Sequence, residues 1–65
     1  MRININGKSE EIKKSTLGEI IAEKGLCQDN LVLEHNKRII PKEEWQDIIL
    51  KENDVVEIVS FVGGG

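Results

Sequence analysis

The chain has few of the residues that form cross-links, metal centres or aromatic stacking surfaces. Its 65 residues include one cysteine, one histidine, one proline, one tryptophan, one phenylalanine and no tyrosine. Cys27 alone cannot form an intramolecular disulfide, and together with His35 it supplies too few ligands for a zinc site. We therefore expect no disulfide and no bound metal, and we exclude an iron–sulfur cluster because one cysteine cannot hold it.

Charge and length exclude further classes of function. Nine basic and twelve acidic side chains give a net charge of −3, and without a basic cluster to follow a phosphate backbone, nucleic-acid binding is not expected. No apolar run reaches the roughly 20 residues of a membrane span, and the first residues lack the apolar core of a signal peptide. We therefore expect a cytoplasmic protein with no membrane partner. A chain this short has no room for a deep active site, which favours a module that works on a partner over an enzyme.

The first twelve residues predict a β-hairpin. Apolar and polar residues alternate from Arg2 to Asn6, as they do in a half-buried strand. Asn6-Gly7 is a strong signal for a type I′ turn because both residues tolerate positive φ. The segment from Lys8 to Ile12 is more polar and is predicted to return as an edge strand.

A short helix is predicted next. Thr16 and Glu19 have the spacing of a capping box, and Gly25 is expected to end the helix in a left-handed conformation. Three apolar residues of this segment fall on one helical face: Leu17, Ile20 and Ile21. Such a helix is too short to persist alone, so we expect it to pack against a sheet.

Two short strands are predicted after the helix, over residues 31–34 and 38–40. Between them, His35 is expected to lie in a turn as a solvated side chain. Cys27, in the polar connection that precedes them, is expected to be a small, semi-buried apolar residue. Pro41 ends the second strand because proline cannot donate to a ladder.

The remaining residues predict one helical turn and the longest strand. Trp45 lies in the helical turn over residues 42–47 and is expected to close one end of the core, although tryptophan is also common in partner contacts. The last strand, over residues 55–62, is the most apolar. We expect the first and last strands to pair in parallel at the centre of one mixed sheet. This gives an α+β fold in which one helix packs across four to five strands.

Alternation along the last strand predicts a docking surface. Val56 and Ile58 are expected to face the helix, whereas Val59 and Phe61 would lie on the opposite face, which a small two-layer domain leaves uncovered. Exposed apolar patches commonly mark interaction surfaces. We therefore expect Val59, Phe61 and the adjoining Val62 to bind a partner. The alternative is that long neighbouring side chains cover them.

Three glycines end the sequence and cannot contribute to a core. The residues alone leave two interpretations of Gly63, Gly64 and Gly65. They form a frayed end or linker stub, or they form a flexible thread that enters a partner's active site and offers the Gly65 carboxylate for chemistry. We accordingly divide the chain into a domain over residues 1–62 and a flexible, reactive tail over residues 63–65.

Three segments together resemble the small sulfur carriers of thiamine (thiazole) biosynthesis, the ThiS-type β-grasp proteins. They are Ile3-Asn4-Ile5-Asn6-Gly7, Ile40-Pro41-Lys42-Glu43-Glu44-Trp45, and Asn53-Asp54 before an apolar strand that ends at Gly64-Gly65. The second segment, at this distance from a Gly-Gly end, is the most specific match, because ubiquitin-like modifiers generally share a Gly-Gly end. Asn53 departs from the glycine that is common in the family before the aspartate.

The resemblance implies a ubiquitin-like β-grasp fold and a carrier that is not itself an enzyme. In such carriers an E1-like adenylyltransferase uses ATP to adenylate the terminal carboxylate, here that of Gly65. Sulfur from a donor such as a cysteine desulfurase then converts the acyl-adenylate to a thiocarboxylate, and thiazole synthase uses that sulfur to build the thiazole ring. We expect no bound cofactor, since ATP is used by the partner enzyme, and a monomer when the carrier is free.

Three alternatives stay open at this point. The small subunit of molybdopterin synthase is a relative, but it is usually longer and has a proline-containing approach to Gly-Gly that this sequence lacks. A ubiquitin-like protein modifier would need the same activation and would pass its carbonyl to a lysine. A non-covalent β-grasp interaction module would leave the glycines inert.

Overall fold

One mixed β-sheet with an α-helix across it makes up the part of the chain that the structure, a computed structural model, describes, namely residues 1–13 and 15–61. The strands are β1 (Arg2–Ile5), β2 (Lys8–Glu11), β3 (Leu31–His35), β4 (Arg38–Ile40) and β5 (Val55–Ser60). The helix α1 spans Leu17–Glu23, and two 3₁₀ segments span Gln28–Asn30 and Lys42–Asp47. The predicted α+β class and element order are confirmed, although β2 and β5 end earlier than predicted.

The strand β5 lies in the middle of the sheet, whose strand order is β2-β1-β5-β3-β4. It runs parallel to β1 and antiparallel to β3. Two backbone bonds join it to the first strand, from Asn4 N to Asp54 O and from Asn6 N to Val56 O, each at 2.9 Å. The predicted parallel pairing of the first and last strands is therefore confirmed. The polar strand β2 lies at one edge, where its charges oppose edge-to-edge pairing.

The β1–β2 hairpin has the turn that its sequence predicts. Asn6 and Gly7 have φ values of 52° and 82°, and Ile5 pairs with Lys8 across the turn. Positive φ at both central residues defines a type I′ turn, whose twist matches that of the flanking strands.

Both ends of α1 are capped as predicted. The Thr16 hydroxyl accepts from the backbone N–H of Glu19 at 3.2 Å, and the Glu19 carboxylate accepts from the backbone N–H of Thr16 at 2.8 Å. At the other end Gly25 has a φ of 69°, and the N–H of Leu26 donates to the carbonyl of Ile21. This is a Schellman motif, which satisfies carbonyls that the helix itself leaves without partners.

Apolar side chains from the sheet, the helix and the second 3₁₀ segment form one core. Burial of each large apolar side chain contributes about 1.5–3 kcal/mol, so packing stabilises a helix that is too short to form alone. Trp45 is buried, and its indole Nε1 donates to the carbonyl of Ile40 at 2.9 Å, which confirms its predicted place in the core. The buried apolar residues among those described are Ile3, Ile5, Leu17, Ile20, Ile21, Leu33, Ile40, Trp45, Leu50 and Val56.

Two expectations about single residues are wrong. Cys27 is exposed, because it lies between the glycine stop of α1 and the segment Gln28–Asn30, which contributes no buried residue. His35 is the last residue of β3 and not a solvated turn residue. Its register opposite Val56 brings the half-buried ring beside the start of β5, where Nε2 lies 2.8 Å from Asp54 Oδ2.

Candidate functional site

The outer face of β5, opposite α1, exposes apolar side chains as the alternation predicts. Val56 is fully buried on the helix side, whereas Val59 and Phe61 are 55% and 49% exposed. Successive side chains of a strand point to opposite faces, so a central strand with one covered face exposes every second residue. The predicted exposure of Val59 and Phe61 is therefore confirmed, and their role in partner binding stays a proposal.

Neighbouring strands extend this exposed apolar surface. Val32 of β3 lies directly opposite Val59 in the antiparallel ladder. Ile39 of β4 is 69% exposed. It lies opposite Glu34 of β3, which is two residues after Val32 and on the same face of the sheet. We call Val32, Ile39, Val59 and Phe61 the apolar strip. The sequence alone did not identify Val32 and Ile39, because their place beside β5 depends on the strand order and register.

Acidic side chains border the apolar strip. Glu57 of β5 lies opposite Glu34 of β3, so two carboxylates stand in one row of the outer face. Like charges directly opposite one another destabilise a sheet slightly, and the chain has a net charge of −3. This arrangement favours a partner surface that is apolar at its centre and basic at its edge.

The other half of the outer face is polar. Arg2 of β1 lies opposite Glu11 of β2, and their side chains form an ion pair with Nη2 and Oε1 3.2 Å apart. Asn4 and Ser9 form the next pair of the hairpin on this face. The apolar surface is therefore confined to the half of the sheet that contains β5, β3 and β4.

The end of β5 is directed by contacts on the β3 side. Ser60 pairs with Leu31, and the backbone N–H of Phe61 donates to the carbonyl of Asn30 at 3.0 Å. Four residues of the predicted site, Val62, Gly63, Gly64 and Gly65, lie outside the described residues. The structure thus describes the strand that leads to the predicted tail.

A buried carboxylate that the sequence did not predict fixes the beginning of β5. Asp54 Oδ2 accepts from the backbone N–H of Lys51 at 2.9 Å, and Oδ1 accepts from the side-chain amide of Asn36 at 3.1 Å. His35 Nε2 lies 2.8 Å from Oδ2. An ionised carboxylate can only accept, so this contact requires a proton on Nε2.

The electrostatic balance at Asp54 favours its ionised form. Burial raises the pKa of Asp54, but the hydrogen bonds from His35, the Lys51 backbone and Asn36, together with the charge of His35, outweigh burial and hold the pKa below its ordinary value. The carboxylate joins the β3–β4 turn to the segment before β5, so its role is to position the strand.

Two other features are absent from the residues that the structure describes. No group of three or more His, Cys, Asp or Glu residues in 1–13 and 15–61 is arranged to hold a metal ion. The helix α1 has seven residues, and within the same ranges none of the helices has the length and apolar content of a membrane span.

The chain is similar to small proteins of one family over nearly its whole length. Residues 3–65 match the sequence model of the ThiS family. The sulfur carrier protein ThiS of Bacillus subtilis (strain 168) is 40% identical over 65 residues, which cover 97% of this chain and 98% of that protein. The crystal structure of the thiamine biosynthesis protein ThiS from Geobacter metallireducens superimposes with a TM-score of 0.84 at 25% identity and covers 100% of both chains.

The chain is also similar to a segment of a larger protein. Thiazole synthase of Paramagnetospirillum magneticum (strain ATCC 700264 / AMB-1) is 32% identical over 66 residues, which cover 100% of this chain and 20% of that protein. The chain therefore corresponds to about a fifth of that relative's length.

Proposed function

The chain belongs to the ThiS family, and we propose that it carries sulfur as a thiocarboxylate on Gly65. Its fold is the ubiquitin-like β-grasp of the ThiS structures, and it is a sulfur carrier of thiamine biosynthesis. The observation that supports the site most strongly is the extent of the family match, which runs through the three glycines to residue 65.

The proposed chemistry starts from a carboxylate, which is a poor electrophile. On an E1-like adenylyltransferase, an oxygen of the Gly65 carboxylate would attack the α-phosphate of ATP and release pyrophosphate. AMP is then a good leaving group. The outer sulfur of a persulfide that originates at a cysteine desulfurase would displace it to give an acyl disulfide, and a thiol would attack that S–S bond, release the thiocarboxylate and itself become part of a disulfide. This is covalent catalysis in which the carrier holds the intermediate. ATP is the substrate of the partner enzyme, and we place the reaction in the cytoplasm.

The glycines before Gly65 suit passage through a narrow channel. Gly63 and Gly64 have no side chains and adopt backbone conformations that other residues avoid. We propose that they enter the active site of each partner while the globular part stays outside it. In the free carrier, residues 63–65 would be a flexible tail, and the domain over residues 1–62 would be a monomer.

The apolar strip is the proposed docking surface of the globular part. Val59 and Phe61 are about half exposed on a central strand, immediately before the proposed tail, and Val62 would extend the same contact. Aromatic anchors within an apolar centre and a polar rim are typical of protein–protein interfaces. The row of Glu34 and Glu57 would then meet basic side chains at the edge of the contact.

The similarity to a thiazole synthase supports that enzyme as one partner. In the Paramagnetospirillum protein, a segment similar to this whole chain makes up 20% of a longer polypeptide. A carrier-like segment within a synthase is held at a high effective concentration near the enzyme that would receive its sulfur. We therefore propose that a separate thiazole synthase accepts sulfur from this chain.

Delivery of sulfur tests the choice of acceptor. The chain, loaded with isotopically labelled sulfur, is mixed in one reaction with thiazole synthase and its other substrates, and in a second with the large subunit of molybdopterin synthase and its substrate. We expect the label in the thiazole product and none in the molybdopterin reaction. Label that stays on the carrier in the first reaction, or that leaves it in the second, would contradict the proposal.

A further inference from the structure

The two sides of β5 are paired over different lengths. On the β3 side the ladder continues to the pair of Leu31 and Ser60. On the β1 side the last strand pair is Ile5 with Val56. After Val56, the backbone of β5 therefore has a neighbouring strand on one side only, and this is the part of the strand that leads to Phe61.

The side chain of Asn6 takes the place of the missing strand. Its Oδ1 accepts from the backbone N–H of Ile58 at 2.7 Å, and its Nδ2 donates to the carbonyl of Ile58 at 3.2 Å. The backbone N–H of Asn6 also donates to the carbonyl of Val56 at 2.9 Å. One amide side chain thus gives both backbone groups of Ile58 the partners that a paired strand would give. We call the two side-chain bonds to Ile58 the Asn6 clamp.

The hairpin turn makes this contact available. Asn6 has a φ of 52°, a left-handed conformation that asparagine tolerates better than most residues. Gly7 follows with positive φ and completes the type I′ turn. Serine or alanine at position 6 would lack the amide that bonds Ile58, and glycine would keep the turn without the clamp. Asparagine at position 6 therefore both adopts the turn conformation and bonds the backbone of β5.

We propose that Asn6 is a positioning residue for adenylation of the tail. Because its side chain bonds Ile58, the backbone of β5 has hydrogen-bond partners on both sides as far as Ile58. Without these bonds, it would have partners on both sides only as far as Val56. Val59 and Phe61 follow at once, so the clamp orders the strand before it meets the adenylyltransferase. Without the clamp, the conformational entropy of this segment would be lost on docking and not on folding, which would weaken docking. This inference rests on the proposed function.

The chain contains a matched control for this proposal. Asn36, in the β3–β4 turn, also has positive φ, at 49°. Its Oδ1 accepts from the backbone N–H of Val55, and its backbone N–H donates to the carbonyl of Val55, each at 2.8 Å. Asn36 thus also bonds β5 through its side-chain oxygen and its backbone N–H, although its Nδ2 donates to Asp54 Oδ1, and it does so at the start of the strand, away from Phe61.

Steady-state adenylation kinetics separate positioning from stability. Asn6→Gly and Asn36→Gly both keep a turn that accepts positive φ and both lose side-chain bonds to β5. For Asn6→Gly we expect KM for the carrier to rise about tenfold with kcat unchanged, which corresponds to about 1.4 kcal/mol and to the net value of one or two hydrogen bonds. For Asn36→Gly we expect a lower Tm with KM within about twofold of wild type. An unchanged KM for Asn6→Gly, or an equal rise for Asn36→Gly, would overturn the proposal.

Amide hydrogen exchange tests the clamp without a partner enzyme. We expect the Ile58 amide to exchange faster in Asn6→Gly than the change in global stability explains, and in Asn36→Gly to exchange only as much faster as the loss of global stability requires. Equal exchange in wild type and Asn6→Gly would mean that Asn6 does not order the strand. If the adenylyltransferase fails to adenylate the wild-type chain, the proposed function is wrong, whereas the exchange rates still decide whether the clamp exists.

Discussion

A single buried carboxylate, Asp54, fixes the start of the central strand. The sequence placed Asn53-Asp54 just before the last strand, as part of the family resemblance, and indicated no partner for the carboxylate. The partner of Asp54 was not predictable from local pattern, because His35 lies 19 residues earlier in the chain and reaches Asp54 only through the β3–β5 register. Contacts of this kind depend on the assembled sheet, so a residue that is polar and isolated in sequence becomes paired in the fold.

Stability at low pH tests this carboxylate. Because folding lowers the pKa of Asp54 from its ordinary 3.8, the unfolded chain binds the proton more readily than the folded one. The stabilisation is therefore present at neutral pH and is lost as the pH falls below about 4 and through the folded-state pKa. We expect Asp54→Asn to lower the free energy of unfolding by about 1–3 kcal/mol at pH 7, with the difference from wild type shrinking below pH 4.

Urea unfolding between pH 3 and pH 7 measures that difference. Glu23→Gln, which removes an exposed carboxylate at the end of α1, is the control and should change stability by less than about 0.5 kcal/mol at any pH. A difference between wild type and Asp54→Asn that stays constant over the whole range would show that ionisation of Asp54 does not stabilise the fold.

Turn residues were the most predictable single positions. Asn6-Gly7 and Gly25 were placed from sequence because positive φ restricts the choice of residue. Asn53 has a φ of 70°, a left-handed conformation that glycine and asparagine tolerate better than other residues, so asparagine is acceptable where the family resemblance leads us to expect glycine. The departure from the family pattern therefore preserves the backbone conformation of the turn.

The strand β5 lies at the centre of the sheet and also carries exposed residues of the proposed docking surface. Its period-2 pattern was enough to predict which residues face the helix and which are exposed, because a strand in a two-layer domain has one covered face. The pairing of Glu34 with Glu57 and the places of Val32 and Ile39 in the apolar strip were not predictable, since they depend on which strands flank β5 and in what register. The face of a strand could be predicted from sequence, and the composition of the surface around it could not.

Substitution of Phe61 tests the docking surface. We expect Phe61→Asp to weaken binding to the adenylyltransferase by about tenfold or more, because it removes an aromatic contact and places a charge within the apolar part of the interface, where its desolvation is unfavourable. Calorimetry with the two purified proteins measures the change. The folded state should be little affected, since Phe61 is about half exposed and follows the end of β5.

Ile49→Asp is the matched control for this substitution. Ile49 is also a large apolar residue with similar exposure, 53%, but it bridges to Thr16 at the beginning of α1 and not to the outer face. We expect the control to bind the adenylyltransferase as wild type does. Equal affinities for Phe61→Asp and wild type would show that the apolar strip does not bind the adenylyltransferase.

At the scale of the whole molecule, the sequence predicted the fold because its local signals agree. The hairpin, the capped helix, the Trp45 turn and the apolar last strand each favour the same two-layer arrangement, and agreement across levels is what specifies a single structure. The tail differs, because glycines carry no packing information. Its proposed role comes from family membership and from its place after β5.

The most direct test of the central claim is the intact mass of the carrier after activation. The chain is incubated with ATP, the adenylyltransferase and a sulfur donor, beside a variant that lacks Gly65 and whose folding is checked by circular dichroism. We predict that the full-length chain exchanges one oxygen for one sulfur and that the folded variant does not. An unchanged mass with an adenylyltransferase that is active on a known carrier, or the same exchange in the variant, would contradict Gly65 as the site that carries sulfur.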